Sequence, residues 1–320
     1  MSPLRIVFMG TPEFAVSSLD AIFHSEHEVV GVVTVPDKPA GRGQKLQQSA
    51  VKQYAVEKNI PVLQPEKLRS EDFLRDLHAL NADLFVVVAF RMLPEVVWQM
   101  PPKGTFNLHG SLLPRYRGAA PINWAVINGD SKTGVTTFFL KHEIDTGNII
   151  YQEEVVITAE DNAGSIHDKL MVVGAKLVVK TLDAISQGAA PIVSQEELIA
   201  KGYEPLHAPK IFKEDCKVDW SKDVTSIHNL VRGLSPYPAA WSELVKSDEL
   251  LSMKIFKTEK EVTEHDYTVG TLLTDARSFL RVACVDGFLS ILELQLAGKK
   301  RMPIRDFLLG FKNIADYMVK

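Results

Sequence analysis

The run Arg5-Ile6-Val7-Phe8-Met9-Gly10-Thr11-Pro12-Glu13-Phe14 decides how the first half of the chain is read. Its opening residues form an apolar, β-branched stretch that predicts a strand. Gly10-Thr11-Pro12 then predicts a turn into a helix, with Thr11 as the cap and Pro12 at the first helical position. Val16, Leu19, Ile22 and Phe23 follow at three- and four-residue spacing, so one face of that helix is apolar. A strand followed by an amphipathic helix is the repeating unit of a parallel sheet, because a parallel neighbour is reached only by a crossover. The rhythm continues outward: residues 29–35, 61–63, 84–90 and 104–109 predict strands, and residues 49–58 and 70–80 predict the helices between them. Leu84 to Val88 is apolar throughout, as a strand buried on both faces requires. A helix over 122–127, strands over 135–140 and 149–157 and a long helix over 165–187 complete an α/β domain expected to span 1–188.

Beyond it the pattern changes. Residues 189–207 carry Pro191, Gly202 and Pro205 among polar residues and are expected to be a linker. The segment 208–320 predicts a helix over 226–234 and short strands over 253–256, 268–273, 279–283 and 289–296, a spacing that suggests a small antiparallel barrel or sandwich. Composition sets the outer bounds. With 46% hydrophobic and 24% charged residues in 320, the chain is an ordinary globular sequence, which excludes collagen-like, disordered and disulfide-scaffold classes. No apolar run reaches the roughly 18 residues of a membrane span, and residues 1–8 lack secretory chemistry, so a cytoplasmic protein is expected. Cys216 and Cys284 stand alone, with no second ligand at metal spacing. A net charge of -4 speaks against coating nucleic acid by bulk charge and leaves local basic contacts open.

Several short constellations can carry chemistry. Gly10-Thr11-Pro12 sits where a dinucleotide loop would be but lacks the later glycines of that fingerprint, leaving a tight turn or an exposed helix start. The segment 36–45 combines two prolines, two glycines and the cations Lys38, Arg42 and Lys45; it is a connecting loop or a lid suited to a phosphate backbone, with Arg42 the best bidentate donor. The densest stretch is Asn107-Leu108-His109-Gly110-Ser111-Leu112-Leu113-Pro114-Arg115-Tyr116-Arg117-Gly118. Residues two apart on a strand share a side, so Asn107 and His109 project together at the edge where parallel sheets bind ligands. An Asn amide can donate to a developing oxyanion, and a histidine can donate or exchange a proton near neutral pH. Asp145-Thr146-Gly147 is either a simple turn or, if it meets His109, a carboxylate that favours the charged imidazole and relays its proton. Trp220, Trp241 and the cluster Lys299, Lys300 and Arg301 fit core packing and a solvated turn as well as RNA contact.

The run from Asn107 to Pro114 with Gly118 resembles the signature of the folate-dependent formyltransferases, N-x-H-x-S-L-L-P-x-x-x-G, and Asp145-Thr146-Gly147 resembles their aspartate loop. Within them, Gly10-Thr11-Pro12-Glu13-Phe14, Pro36 to Gly43 and Arg117-Gly118-Ala119-Ala120-Pro121-Ile122 are similar to the methionyl-tRNA formyltransferase family. So are Val218-Asp219-Trp220, Pro236 to Trp241 and Ala297-Gly298-Lys299-Lys300, so the likeness covers nearly the whole chain. The resemblance implies a Rossmann-like catalytic domain, an OB-like tRNA-binding domain over 208–320, and transfer of a formyl group from 10-formyltetrahydrofolate to the amino group of methionyl initiator tRNA, without a metal. Asn107, His109 and Asp145 would be catalytic. Ser111, Leu112, Leu113 and Pro114 would line the folate site, joined by Phe90, Arg91 and Met92. The family more usually carries tyrosine and glycine at 90 and 91, so only a backbone contribution transfers there. Lys38, Arg42 and Lys45 would reach tRNA, and a monomer is expected. Competing readings are a sugar-nucleotide formyltransferase, a non-catalytic RNA-binding module and, less well supported, a dinucleotide oxidoreductase.

Overall fold

The computed structural model describes residues 2–40, 45–311 and 313–320. Two compact units share the chain. The first comprises Met1–Gly118, Thr133–Val156 and His167–Ala208, and the second Ala119–Lys132, Ile157–Ile166 and Pro209–Lys320.

In chain order the elements up to residue 208 are β1 (Arg5–Gly10), α1 (Glu13–Phe23), β2 (Glu28–Val33), the hairpin β3 (Lys38–Ala40) and β4 (Lys45–Gln47), α2 (Ala50–Glu57), β5 (Val62–Leu63), α3 (Glu71–Ala79) and β6 (Leu84–Val88). They continue with α4 (Glu95–Trp98), β7 (Thr105–His109), β8 (Arg117–Gly118), α5 (Pro121–Ile127), β9 (Lys132–Phe139), β10 (Ile149–Val156), α6 (Ala163–Ser186), α7 (Gln195–Ala200) and β11 (His207–Ala208). The main sheet of the first unit has the order β10-β9-β7-β6-β1-β2-β5. β1 runs parallel to β2 and β6, β6 parallel to β7, and β2 parallel to β5, whereas β9 lies antiparallel to β7. The chain winds from β1 to β2 and β5 on one side and returns to β6 and β7 on the other. That reversal between β1 and β6 makes a switch point, and strand carboxyl ends at a switch point open a crevice for ligands. Every residue of β6 is buried, as expected for a strand covered on both faces. One face packs Val7, Met9, Val33, Phe85 and Val87 with Phe73 and Leu77 of α3 and Val97 of α4.

Up to residue 208 the details depart from expectation at α1, at the end of β6 and within residues 189–207. α1 begins at Glu13, because Pro12 keeps an extended ψ of 176° and no side chain caps the helix. β6 stops at Val88, since Ala89 adopts φ 47° and turns the backbone out of the ladder. Residues 189–207 hold α7, and its first residue, Gln195, is wholly buried.

The second unit adds α8 (Val224–Leu234), β12 (Ala240–Lys246), β13 (Glu249–Val262), β14 (Leu272–Thr274), β15 (Leu280–Ala283), β16 (Gly287–Leu296), β17 (Met302–Pro303), α9 (Ile304–Gly310) and β18 (Met318–Val319). Its sheet runs β14-β15-β16-β13-β12-β18, with β17 on β16, and these pairs are antiparallel. An antiparallel bridge between Thr271 and Met318, with Val319 N donating to Gly270 O at 3.1 Å, brings the two ends together into a nearly closed barrel. Closure removes the edge strands that an open sheet must protect. Trp220, Ile227, Val231, Met253, Ile255, Leu289, Ile291 and Phe307 fill its core. β13 is much longer than the expected 253–256; the reason is legible in its burial, where Met253 and Ile255 point inward and charged neighbours outward, so the apolar signal marks only part of the strand.

Candidate active site

Two residues at the carboxyl end of β7 face the same way, Asn107 and His109. Asn107 is half-buried, and among the described residues its side-chain amide meets no hydrogen-bond partner, so its donors stay open. His109 is 6% exposed. Its Nε2 lies 2.8 Å from the Tyr116 carbonyl, which can only accept, so Nε2 carries a proton. Nδ1 faces Asp145 Oδ2 at 3.8 Å, and Phe138 packs edge-on against the ring. Asn107 and His109, two residues apart on β7, are thus joined at the end of that strand by Asp145 from a loop 36 residues after His109.

The turn after β7 is held by buried polar groups. Ser111 Oγ donates to Arg115 O at 2.6 Å, and Thr136 Oγ1 donates to Ser111 O at 2.6 Å while accepting from Leu113 N at 3.1 Å. Gln152 Nε2 donates to Leu113 O and to Thr136 Oγ1 at 2.8 and 2.9 Å. β9 supplies this support because its antiparallel register sets Thr136 opposite His109. Ser111, Leu113 and Pro114 are therefore buried within the turn, and Leu112 is half-exposed. The turn ends at Gly118, where φ is 126° and a Cβ would lie 2.6 Å from Ala208 O; only glycine lets β8 run beside β11 there.

The aspartate loop is equally constrained. Asp145 takes φ 54°, a left-handed conformation that an Asp tolerates better than most residues. Gly118 N donates to its Oδ2 at 2.9 Å. At Gly147 a Cβ would fall 1.6 Å from Phe139 O, so any side chain would push the loop off β9. Gln195 donates from Nε2 to Asp145 O at 2.9 Å and to Gly147 O at 2.7 Å. Sequence reading missed Thr136, Gln152 and Gln195. Thr136 looks like any strand threonine, and Gln195 sits in the polar stretch expected to be a linker.

The remaining candidates lie apart from this constellation or carry other partners. Phe90, Arg91 and Met92 follow β6 at the switch point. Arg91 turns its guanidinium back to the carbonyls of Glu66 (3.0 Å) and Pro65, leaving its backbone rather than its charge for a ligand. Burial pushes that guanidinium below the usual arginine range. Lys38 is exposed on β3, Arg42 lies outside the described residues, and so does the Lys45 side chain. The base of their loop is anchored: Asp37 accepts from Lys52 at 2.5 Å and from Gln64 at 2.8 Å, bonds that hold its carboxyl below the ordinary range. In the second unit Trp220 is buried and donates to Ser242 Oγ at 2.8 Å, and Arg301 pairs with Glu293 while covering Phe256. Among the described residues no group of three His, Cys, Asp or Glu is placed to hold a metal ion, and no helix is long and apolar enough to cross a membrane. An open amide donor, an imidazole and a carboxylate around one point suit acyl transfer through a tetrahedral intermediate.

Residues 4–182 match the family described as formyl transferase, and residues 210–312 the family described as formyl transferase, C-terminal domain. The chain is 59% identical over 318 residues to a protein of Parabacteroides distasonis named methionyl-tRNA formyltransferase, covering 99% of this chain and 98% of the relative. A protein of Bacteroides thetaiotaomicron with the same name is 57% identical over 310 residues, covering 97% of this chain and 96% of that one. The fold is similar to that of WlaRD, a sugar 3N-formyl transferase solved in the presence of dTDP and 5-N-formyl-THF, with TM-score 0.64 and 20% identity over 94% of this chain and 100% of that chain. At that identity the likeness concerns the fold alone.

Proposed function

The chain belongs to the methionyl-tRNA formyltransferase family, and from that premise we infer that it transfers the formyl group of 10-formyltetrahydrofolate to the free amino group of methionyl initiator tRNA, giving N-formylmethionyl-tRNA for translation initiation. The observation that carries the site assignment is the meeting of Asn107, His109 and Asp145 at the end of β7.

The amine attacks the formyl carbon; a carbon–nitrogen bond forms, the carbonyl oxygen becomes anionic and the nitrogen cationic. The intermediate collapses by breaking the bond to the folate nitrogen, which takes up a proton, and the amine nitrogen loses one. Asn107 donates to the oxygen, since its amide meets no hydrogen-bond partner among the described residues. Deletion of one such donor costs on the order of 3 kcal/mol in the barrier. The Tyr116 carbonyl occupies the Nε2 proton of His109, so Nδ1 is the nitrogen that takes and returns a proton, with the Asp145 carboxylate beside it. Protonated there, the ring becomes a second donor to the oxygen. The folate substrate lies in the switch-point crevice, against the backbone of Phe90, Arg91 and Met92 and the turn of Ser111, Leu112, Leu113 and Pro114. A mostly apolar wall with backbone donors suits a planar heterocycle.

Lys38, Arg42 and Lys45 reach the acceptor end of tRNA from the loop after β2. The segment 208–320 supports the RNA with 17 Lys and Arg against 16 Asp and Glu, so contact comes from local basic elements and weakens with salt. The enzyme works in the cytoplasm as a monomer. The test is transfer of labelled formyl from 10-formyltetrahydrofolate to methionyl initiator tRNA, with an amino-sugar nucleotide as rival acceptor. Robust labelling of the tRNA is expected; equal or better labelling of the sugar overturns the substrate assignment.

A further inference from the structure

We propose that Gln195 is a positioning residue of the transfer reaction, closing a hydrogen-bonded ring with Arg117 and the Gly118 amide that sets the Asp145 carboxylate against His109. This rests on the reading that Asp145 takes part in formyl transfer.

The ring is complete. Asp145 Oδ2 accepts from Gly118 N at 2.9 Å, and Arg117, the residue before Gly118, donates from Nε and Nη2 to Gln195 Oε1 at 3.0 and 2.7 Å. Gln195 Nε2 returns to Asp145 O at 2.9 Å and also binds Gly147 O at 2.7 Å. The side chain and the backbone of Asp145 are thus held from two sides by one network. Gln195 is wholly buried, and both protons and the acceptor oxygen of its amide are used. No other side chain of this length supplies two donors and an acceptor at one end. A glutamate keeps the Arg117 arm and turns a carboxylate oxygen toward two carbonyls. A methionine fills the space and makes neither arm.

The need for such a clamp follows from the local backbone. A non-glycine residue at φ 54° is held there only when its surroundings impose it. The gap between Asp145 Oδ2 and His109 Nδ1 is 3.8 Å, so a small rotation about Asp145 changes which groups a substrate nitrogen can reach. Displacements of about 1 Å at a reacting group cost up to about 100-fold in rate.

The experiment compares Gln195→Glu, Gln195→Ala and Arg117→Lys with the parent and with Asp145→Asn, singly and in the Gln195→Ala background. It reads formyl transfer to methionyl initiator tRNA in steady-state and long single-turnover incubations, and amide hydrogen exchange over residues 143–148. Gln195→Glu and Gln195→Ala should lower kcat about 30-fold and Arg117→Lys about fivefold, with both KM values within about twofold of the parent. In the Asp145→Asn background the change at Gln195 should cost less than about twofold more, because the positioned group is gone. Exchange over 143–148 should quicken in all three single variants. An unchanged kcat, equal costs in both backgrounds, or a loss expressed in KM overturns the proposal. If a Gln195 variant fails to fold, Arg117→Lys decides by the same criteria. A parent inactive toward methionyl-tRNA overturns the functional reading, and the exchange data then decide the clamp by themselves, unchanged exchange refuting it.

Discussion

The two units both bury polar side chains, and they use them differently. In the first unit Ser111, Thr136, His109 and Gln195 are buried, and their bonds converge on the turn 110–118 and the loop 143–147. In the second unit the buried polar groups close on each other: Trp220 donates to Ser242 Oγ, which donates to Lys320 O at 3.1 Å, and His228 Nδ1 lies 2.9 Å from Thr258 Oγ1. A buried polar group costs stability unless it is bonded, and the second network meets that cost by tying helix, strand and chain terminus together. The first network meets it by fixing a loop geometry that sets the Asp145 carboxylate beside the His109 ring. Burial of a polar residue is therefore no guide to chemistry until the direction of its bonds is known.

That contrast is broken most directly at the site. Asn107→Ala and His109→Ala should each lower kcat by about 100- to 1,000-fold. Asn107→Ala should keep stability in denaturant within about 1 kcal/mol of the parent, whereas His109→Ala, which loses the bond to the buried Tyr116 carbonyl, should cost about 1–3 kcal/mol. A large loss of stability with a proportionate loss of activity would erase the distinction between the units. Gly147→Ala displaces the Asp145 loop from Phe139 O and should cost about 100-fold in kcat, read in the same assay with tRNA binding as the control. In the second unit the pattern should invert: Trp220→Phe removes the bond to Ser242 and should destabilise by about 1 kcal/mol in urea while leaving kcat within about twofold.

Two smaller effects sharpen the comparison. Arg42→Ala should raise the KM for tRNA about fivefold and leave that for folate unchanged; the reverse split would remove the loop from the RNA contact. Burial, with repulsion from Arg232 and Lys260, pushes the His228 imidazole down to about 4. The unfolded chain takes up that proton near 6.5 and the native chain only near 4, so stability falls as pH drops through that window and levels off below it. His228→Gln should flatten the slope of stability against pH between 6.5 and 4, as urea titrations would show, without altering transfer at neutral pH.

Much of this was open to reading in the sequence. Apolar runs such as Leu84 to Val88 predict strands buried on both faces, and the spacing of Asn107 and His109 puts them on one side of β7. The barrel was legible as a class but not in its lengths, because β13 carries charge on its outer face and its buried apolar residues, Met253, Ile255 and Phe256, lie within 253–256. At Arg91 only a backbone contribution was expected, and the fate of its charge was not legible: the guanidinium turns to the carbonyls of Glu66 and Pro65. Gln195 was invisible, since one glutamine in a polar stretch has no periodicity and its partners lie 48 to 78 residues away.

The order of apolar and polar residues along the chain was enough to indicate the main strands and crossovers of the parallel sheet and the side on which Asn107 and His109 stand, because those depend on neighbours within a few positions. It did not show that 119–132 and 157–166 belong with the second unit. Only the tertiary structure decided that Asp145 reaches His109, that the Tyr116 carbonyl selects the protonated nitrogen, and that Gln195 holds both arms of the loop. Those are contacts between segments brought together by sheet register and by two glycines whose missing Cβ atoms permit close approach, Gly118 and Gly147. Local pattern encodes what a segment becomes; which reactive groups face each other depends on where the packed core sets the segment ends.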